Sequence, residues 1–533
     1  MRRWNGWGDD SVTYPLPPLA AALLEARIGP ASPPRDATPS EALAAVSPPR
    51  PLSHPLVKSD AVERLRHARG QSFPDWVALR TARIPAFPDG VAYPFTEADV
   101  AELIRFASQV GARLIPYGGG TSVVGHINPL PGDDRPTLTV DLSRMNRLLR
   151  LDDVSRLATF AAGVAGPDLE AQLRARGYTL GHFPQSFEYS TLGGWIATRS
   201  SGQESLGFGR IEDLFAGGRL LSPAGLLELP PFPASAAGPD LRHLVLGSEG
   251  RLGILTEATV RVTPLADSEP LTVHALFFPD WKAAQAAVRQ IAQARLPISL
   301  VRLSTPTETE TTLALAGHRR LIAALERMLA LRKVGEGKCL LLLGCRGRSR
   351  ASKAACREAL AIAEREGGVS VGRAFGKRWA KARFRTPYLR NTLWEMGYGV
   401  DTLETAVVWK DVAGAVDAIE AALHAALAPF GERVHVFSHL SHVYPSGCSI
   451  YTTLIFRLAT DPEETLARWQ AMKTAASQAI VAVGGTISHQ HGVGVDHAAY
   501  LPAEKGELGM ALLRDAARRL DPAGLMNPGK LLR

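Results

Sequence analysis

The sequence predicts an α+β fold in two main lobes. Three observations carry that prediction. Between about residues 86 and 265, strand-like runs end in glycine-rich turns. From about residue 266 the pattern changes to a repeated strand, helix, strand. No run of about 18 apolar residues breaks the chain, so no membrane span is expected. With 533 residues, 46% hydrophobic and 21% charged, the chain has material for more than one core.

Taken in order, residues 1–85 read as a Pro-rich and helical extension. Residues 11–60 are rich in Pro, Ala and Ser ("SPPRDATPSEALAAVSPPRPLSHP"). Such a composition buries little and is expected to be extended or partly ordered. In residues 86–265, "TEADVAELIRFASQVG" predicts a helix. Thr96 can cap it, Asp99 lies three residues on, and Val100, Leu103, Ile104 and Ala107 share a face. "RLIPY", "TLTVDL" and "LATFAAG" predict strands, and "GPDLEAQLRARG" a further helix. Residues 266–440 predict a second α+β domain, one antiparallel sheet with helices on one face. Residues 441–533 read as a helix, a turn with the histidines and a Pro/Gly-rich end.

Charge and cysteine content bound the function. Net charge is +8, which suits anionic substrates or a loose attraction to anionic lipid. The basic run "GRAFGKRWAKARFRTPYLR" reads either as a solvated helix face or as a rim that receives phosphate. No nucleic-acid motif is present, and no nucleic-acid partner is expected. Four cysteines argue against a disulfide framework and for a reducing compartment. The start, "MRRWNGWGDD", has no apolar core of a signal peptide, so a cytoplasmic location is expected.

The chemistry sits in three glycine and hydroxyl loops. "PYGGGTS" comprises Pro116, Tyr117, Gly118, Gly119, Gly120, Thr121 and Ser122. Glycines there let backbone N–H groups crowd an anion, and a Cβ at Gly119 is expected to obstruct that approach. It is neither a Walker A loop nor GxGxxG. A second loop holds Gln185, Ser186, Phe187, Glu188, Tyr189, Ser190 and Thr191, followed by Thr198, Arg199, Ser200 and Ser201. A third holds Gly247, Ser248, Glu249, Gly250, Arg251, Leu252 and Gly253. Three such loops in one stretch suit a long diphosphate cofactor lying across the domain.

This constellation resembles the flavoprotein family of vanillyl-alcohol oxidase and p-cresol methylhydroxylase. Within it, the chain is most similar to the alkyldihydroxyacetonephosphate synthase branch, also called alkylglycerone-phosphate synthases. The likeness runs through "RRWNGWG", "PYGGGTSVVG", "FPQSFEYSTLGGWIATRSSG", "YLRN", "CSIYTTLIF", "GGTISHQHGVG" and "LDPAGLMNPGKLL". It implies a two-lobed FAD-binding fold of the vanillyl-alcohol oxidase type with an α+β cap over the isoalloxazine, and a C-terminal segment, residues 441–533, that returns to the interface between the lobes. It also implies that the three loops bind FAD. The FAD is expected to be non-covalent, since no histidine directly follows the glycines and His126 lies six residues past Gly120.

The resemblance assigns the site residues as well. Arg390 matches an arginine of the synthase active site and Tyr451 its essential tyrosine. His489 and His491 match the outer two of three consecutive histidines, with Gln490 in the middle place. A further departure is "PFPASAAGPD", without the arginine the branch carries there. Hydroxy-acid dehydrogenases of the family bind a metal through histidines and carboxylates. Here "SHLSHVYPSG" has no acidic residue and Gln490 stands at the glutamate position, so no metal is expected. The histidines instead read as proton-handling and anion-binding groups.

The implied activity is a redox-neutral exchange of the acyl group of acyl-dihydroxyacetone phosphate for a fatty alcohol, forming an ether lipid. The alternatives are an FAD oxidase or dehydrogenase of a small hydroxy acid or polyol phosphate, and an FAD protein without catalysis. A small-molecule lipid or hydroxy-acid substrate is expected. Long-chain substrates favour a peripheral membrane contact, and a homodimer is among the expected assemblies.

Overall fold

The protein's computed structural model describes residues 2–132 and 134–532. Its Pro-rich start is more ordered than composition predicts. Helix α1 (Pro18–Ile28) opens with proline, whose missing N–H is no loss in a first turn. Ala20, Leu24 and Ile28 recur every four residues and are buried. That single apolar stripe makes the segment pack, whatever its prolines do on either side. The "WNGWG" segment is clamped too. The Trp7 amide donates to Asn391 Oδ1 at 3.1 Å, and Asn391 Nδ2 donates back to the Trp7 carbonyl at 3.0 Å.

The first lobe has two main sheets, beside a two-stranded ribbon that pairs Tyr178–Thr179 with Thr263–Pro264. Strands β1 (Val57–Lys58), β2 (Gly90–Ala92), β3 (Arg113–Tyr117) and β4 (Thr137–Asp141) form one, in the order β1-β2-β4-β3. Helix α2 (Glu97–Val110) follows β2, with the Thr96–Asp99 capping box the sequence predicts. Gly111, in the left-handed region, ends it. The second sheet contains β5 (Leu148–Asp152), β6 (Leu157–Ala161), β7 (Phe215–Ser222), β8 (Gly225–Leu229) and β9 (Ile254–Arg261), in the order β5-β6-β9-β7-β8. The short helix α3 (Leu192–Thr198) packs against β9.

The second lobe is one seven-stranded sheet. Its strands are β10 (Leu271–Phe278), β11 (Leu300–Ser304), β12 (Cys339–Arg346), β13 (Val369–Ser370), β14 (Tyr398–Val408), β15 (Val434–Val443) and β16 (Gly447–Arg457). The order is β13-β10-β12-β11-β15-β16-β14. The sheet therefore continues past residue 440, because β15 and β16 form a hairpin across the tight turn at residues 444–447.

Helices cover both faces of the left half of this sheet, not one face as the sequence predicts. Helices α4 (Trp281–Gln293) and α7 (Arg350–Arg365) pack on Leu341 and Leu343. On the other side α5 (Pro306–Ala316) and α6 (Arg319–Leu331) pack on Leu340 and Leu342. The reason lies in "CLLLLGC", a continuous apolar run whose alternate residues need cover on opposite faces. Helices α8 (Ala374–Ala382) and α9 (Leu389–Glu395) follow. Helix α10 (Val412–Leu427) belongs to a run, Trp409–Phe430, long and apolar enough by composition to cross a membrane. Its Val412, Ala415, Val416, Ile419, Leu423 and Leu427 are buried in the protein core. Helix α11 (Pro462–Ala482) packs beside it. One disulfide joins Cys345 to Cys356, while Cys339 and Cys448 are free, so no framework of bridges holds the fold.

Candidate active site

A cavity of about 560 Å³ lies between the two lobes. The first lobe supplies one wall. All seven residues from Pro116 to Ser122 line it, as do Gln185, Ser186, Ser190, Thr191, Thr198, Ser200, Ser201, Ser248, Glu249, Gly250 and Gly253. Strand β3 delivers the first loop, and its parallel neighbour β4 fixes where the loop leaves the sheet. Among the described residues, the backbone N–H groups of Gly119 to Val123 donate to no protein acceptor. A row of unspent amide donors facing a cavity is the donor set a diphosphate requires. The residues present fit FAD on that ground.

Two glycines of this loop have a further reason besides the one expected. A Cβ on Gly119 would lie 1.8 Å from the Tyr189 carbonyl oxygen, and one on Gly118 2.3 Å from Thr191 Oγ1. These glycines let the first two loops touch one another, and that contact shapes the cradle.

Seven of the predicted cofactor residues do not line the cavity. Phe187 stacks on Phe384 with centroids 5.3 Å apart. Tyr189 meets Trp7 edge-on and shares a 3.0 Å hydroxyl bond with Tyr388. Arg199 pairs with Glu212 at 3.0 Å, and the Arg251 guanidinium donates to the Met526 carbonyl. Leu252 belongs to the core, and Glu188 and Gly247 sit outside the lining. They build the loops, and the cavity-facing residues are their neighbours. His126, set aside as too distant, does line the cavity, with Nδ1 2.8 Å from Ser122 Oγ.

The second lobe supplies the opposite wall. In β15, β16 and β14, His439, Tyr451 and Glu404 are direct cross-strand neighbours. Residues opposite one another share a face, so the three side chains form one row. The His439 ring stacks on Tyr451 with centroids 5.0 Å apart and planes 24° apart. Arg302 on β11 donates to His439 Nε2 at 2.9 Å, and Glu308 on α5 lies 2.9 Å from His439 Nδ1. A guanidinium can only donate, so Nε2 accepts and Nδ1 carries the hydrogen. Burial, then Arg302, hold His439 below the ordinary histidine pKa, consistent with a neutral ring.

Tyr451 and His491 meet edge to face, centroids 5.5 Å apart. Burial pushes the Tyr451 hydroxyl up to about 12, and it donates to Thr402 Oγ1 at 3.2 Å. Burial also pushes His491 down, against the pull of Glu404. Arg390 lies 4.4 Å from the centre of the Trp76 ring and donates to the carbonyls of Gln71 and Val400. Among the described residues no carboxylate forms an ion pair with it, so its charge is left for a ligand.

The comparisons with known proteins agree with this geometry. A model described as an FAD binding domain matches residues 88–229, and one described as the C-terminal domain of FAD linked oxidases matches residues 268–531. Together they cover about three-quarters of the chain. The chain belongs to the FAD-linked oxidase family. The chain is 28% identical to alkyldihydroxyacetonephosphate synthase of Dictyostelium discoideum, over 99% of the chain and 93% of that protein. A solved alkyldihydroxyacetonephosphate synthase superposes with a TM-score of 0.83 at 27% identity, covering 99% of this chain and 98% of that one. The structure of p-cresol methylhydroxylase with substrate bound shares the fold, with a TM-score of 0.67 at 14% identity, over 93% and 98% of the two chains. The cofactor of the chain is accordingly FAD.

The histidines of "SHQHGVGVDH" face different partners. His489 does not line the cavity; its Nε2 lies 2.6 Å from the Tyr444 hydroxyl, and its ring stacks behind His442. Gln490 and His491 line the cavity instead. His497 turns back to the Gly492 carbonyl at 3.0 Å. The loop is held by two buried carboxylates. Glu404 accepts from Ser488 Oγ and from the amides of Gln490 and His491. Glu249 accepts from the amides of Val493 and Gly494 at 2.6 and 2.8 Å. Sequence reasoning took His439 for an ordinary strand histidine and missed Arg302 and Glu308. Alternation along β15 puts His435, Phe437, His439 and Ser441 on one face, and the strand pairing sets His439 opposite Tyr451.

Proposed function

We propose that this flavoenzyme exchanges the acyl group of acyl-dihydroxyacetone phosphate for a fatty alcohol, as an alkylglycerone-phosphate synthase. The observation that carries the reading is a polar site continuous with an apolar arm. From Tyr451, the cavity-facing residues of β16 run through Thr453 to Ile455, beside Phe437, Val400, Leu389 and Leu393. A substrate with a charged head and a long chain needs both parts. A small hydroxy acid leaves the arm without a use, which weighs against the dehydrogenase alternative.

Bound FAD supplies a redox-neutral exchange of electron pairs with the substrate carbon. The chain's own groups do the rest. Arg390 meets the anionic oxygens with its free charge. Tyr451, raised to about 12, keeps its proton at neutral pH and donates a hydrogen bond. His491, held neutral by burial, takes the proton of the incoming alcohol. Arg302 and Glu308 fix the His439 ring beneath Tyr451 and so set the phenol's orientation.

The test is turnover in air without added electron acceptor. Acyl-dihydroxyacetone phosphate plus hexadecanol should yield fatty acid and alkyl product in equal amounts, with the oxidised flavin band unchanged. Flavin bleaching by a hydroxy acid, with no alkyl product, would sink the reading.

The same reading takes the enzyme as cytoplasmic and peripheral to a membrane. What supports it is α6, where Leu321 and Leu331 are exposed beside Arg319, Arg320 and Lys333. Co-sedimentation with anionic vesicles, lost in Leu331→Asp, is the check.

A further inference from the structure

We infer that helix α1 sets the length of alkyl chain the enzyme accepts. The inference rests on the synthase reading and goes beyond it by naming the element that selects the chain. Neither matched family model reaches residues before 88, yet Leu16, Ala20, Leu23 and Leu24 line the cavity. They close the apolar arm at the end away from Arg302 and Tyr451. Leu24 packs in one cluster with Leu389, Leu393 and Ile455.

The depth of this wall follows from strand geometry. Ile455 lies four residues beyond Tyr451 on β16, a rise of about 13 Å. An extended alkyl chain advances about 1.25 Å per carbon, from its bond length. Helix α1 therefore meets the chain about ten carbons from the reacting centre. Chains longer than that must run along α1, and the side chains there decide what fits.

The wall is fixed in place. Arg27 pairs with Glu310 on α5 at 2.6 Å. Tyr398 donates to the Gly29 carbonyl at 2.8 Å, and Thr392 donates to the Tyr14 carbonyl at 2.8 Å. These bonds tie both ends of α1 to the second lobe. Ala20 is the smallest side chain on its lining face, so a larger group there takes space directly from the arm. Each methylene kept out of an apolar site costs about fourfold in kcat/KM.

The experiment compares octanol, dodecanol and hexadecanol as acceptors in the FAD-loaded enzyme. Ala20→Phe should lower the hexadecanol-to-octanol ratio of kcat/KM by about tenfold or more. Leu23→Ala should raise that ratio and gives the answer if Ala20→Phe fails to fold. A ratio unchanged in the variants that fold would overturn the assignment. If the wild type exchanges none of the alcohols, the synthase reading itself fails. Binding of cis-parinarate, a long fluorescent acyl chain, then decides the role of α1. Weaker binding to Ala20→Phe upholds it, and equal binding overturns it.

Discussion

At the scale of single residues, the site separates groups that touch the cavity from groups that place them. His491 faces the cavity, while Glu404 holds its loop by backbone amides. His491→Ala should leave FAD bound and lower turnover by about a hundredfold, the usual scale for an acid–base group. The pH dependence has a definite sign. Burial depresses the His491 pKa, so the neutral, proton-accepting form persists below the ordinary value near 6.5. The acid limb of kcat/KM should therefore fall below pH 6.5, and a limb above it would remove His491 as the base. Arg390, Tyr451 and His491 were legible as cavity residues because short motifs mark them. His489 was not separable from His491 in sequence, since two residues apart on an irregular loop fixes no common direction. His439 was hidden because its role depends on a neighbour twelve residues later across a hairpin.

At the scale of elements, loop meets loop and sheet meets helix. Strands β3 and β4 and helix α2 were readable from period, cap and flanking glycine. Helix α1 was not, because its surrounding prolines mask one four-residue stripe. The glycine loop was recognised, but its contact with the second loop was not. Gly119→Ala should drive the Pro116–Ser122 and Gln185–Thr191 loops apart, since the new Cβ meets backbone and not a movable side chain. The purified variant should fold with well under half the flavin of wild type, read from the absorbance ratio. Full flavin occupancy would show that the loop contact does not shape the cradle.

At the scale of the whole molecule, the two lobes are joined by a buried charge. Glu204, fully buried in the first lobe, bonds to Arg346 and, at 2.7 Å, to Arg383 of the second. Glu204→Ala leaves two arginines without their partner and should cost about 3–5 kcal/mol, seen in a urea midpoint. Stability should also decline with acid. Burial holds His182 and His442 down to about 3 and His435 to about 4. An unfolded chain takes up those protons near pH 6.5, so stability is full above 6.5 and is lost progressively as pH falls below it. A urea midpoint that is the same at pH 7.5 and pH 5 would contradict this. A second lobe was suggested by the change of texture near residue 266, and the return of the C-terminal segment only by the family resemblance. The shared sheet past residue 440 was not, because a hairpin pairs strands that the histidine and tyrosine motifs make look separate.

The most direct measurement of the central claim follows one oxygen atom. Hexadecanol carrying a heavy-oxygen label is incubated with acyl-dihydroxyacetone phosphate and the FAD-loaded enzyme, and the lipid product is weighed by mass spectrometry. If the carboxylate leaves and the alcohol enters, the ether product retains the label in full and no peroxide forms. An unlabelled ether, or peroxide formed with no ether at all, would contradict the account.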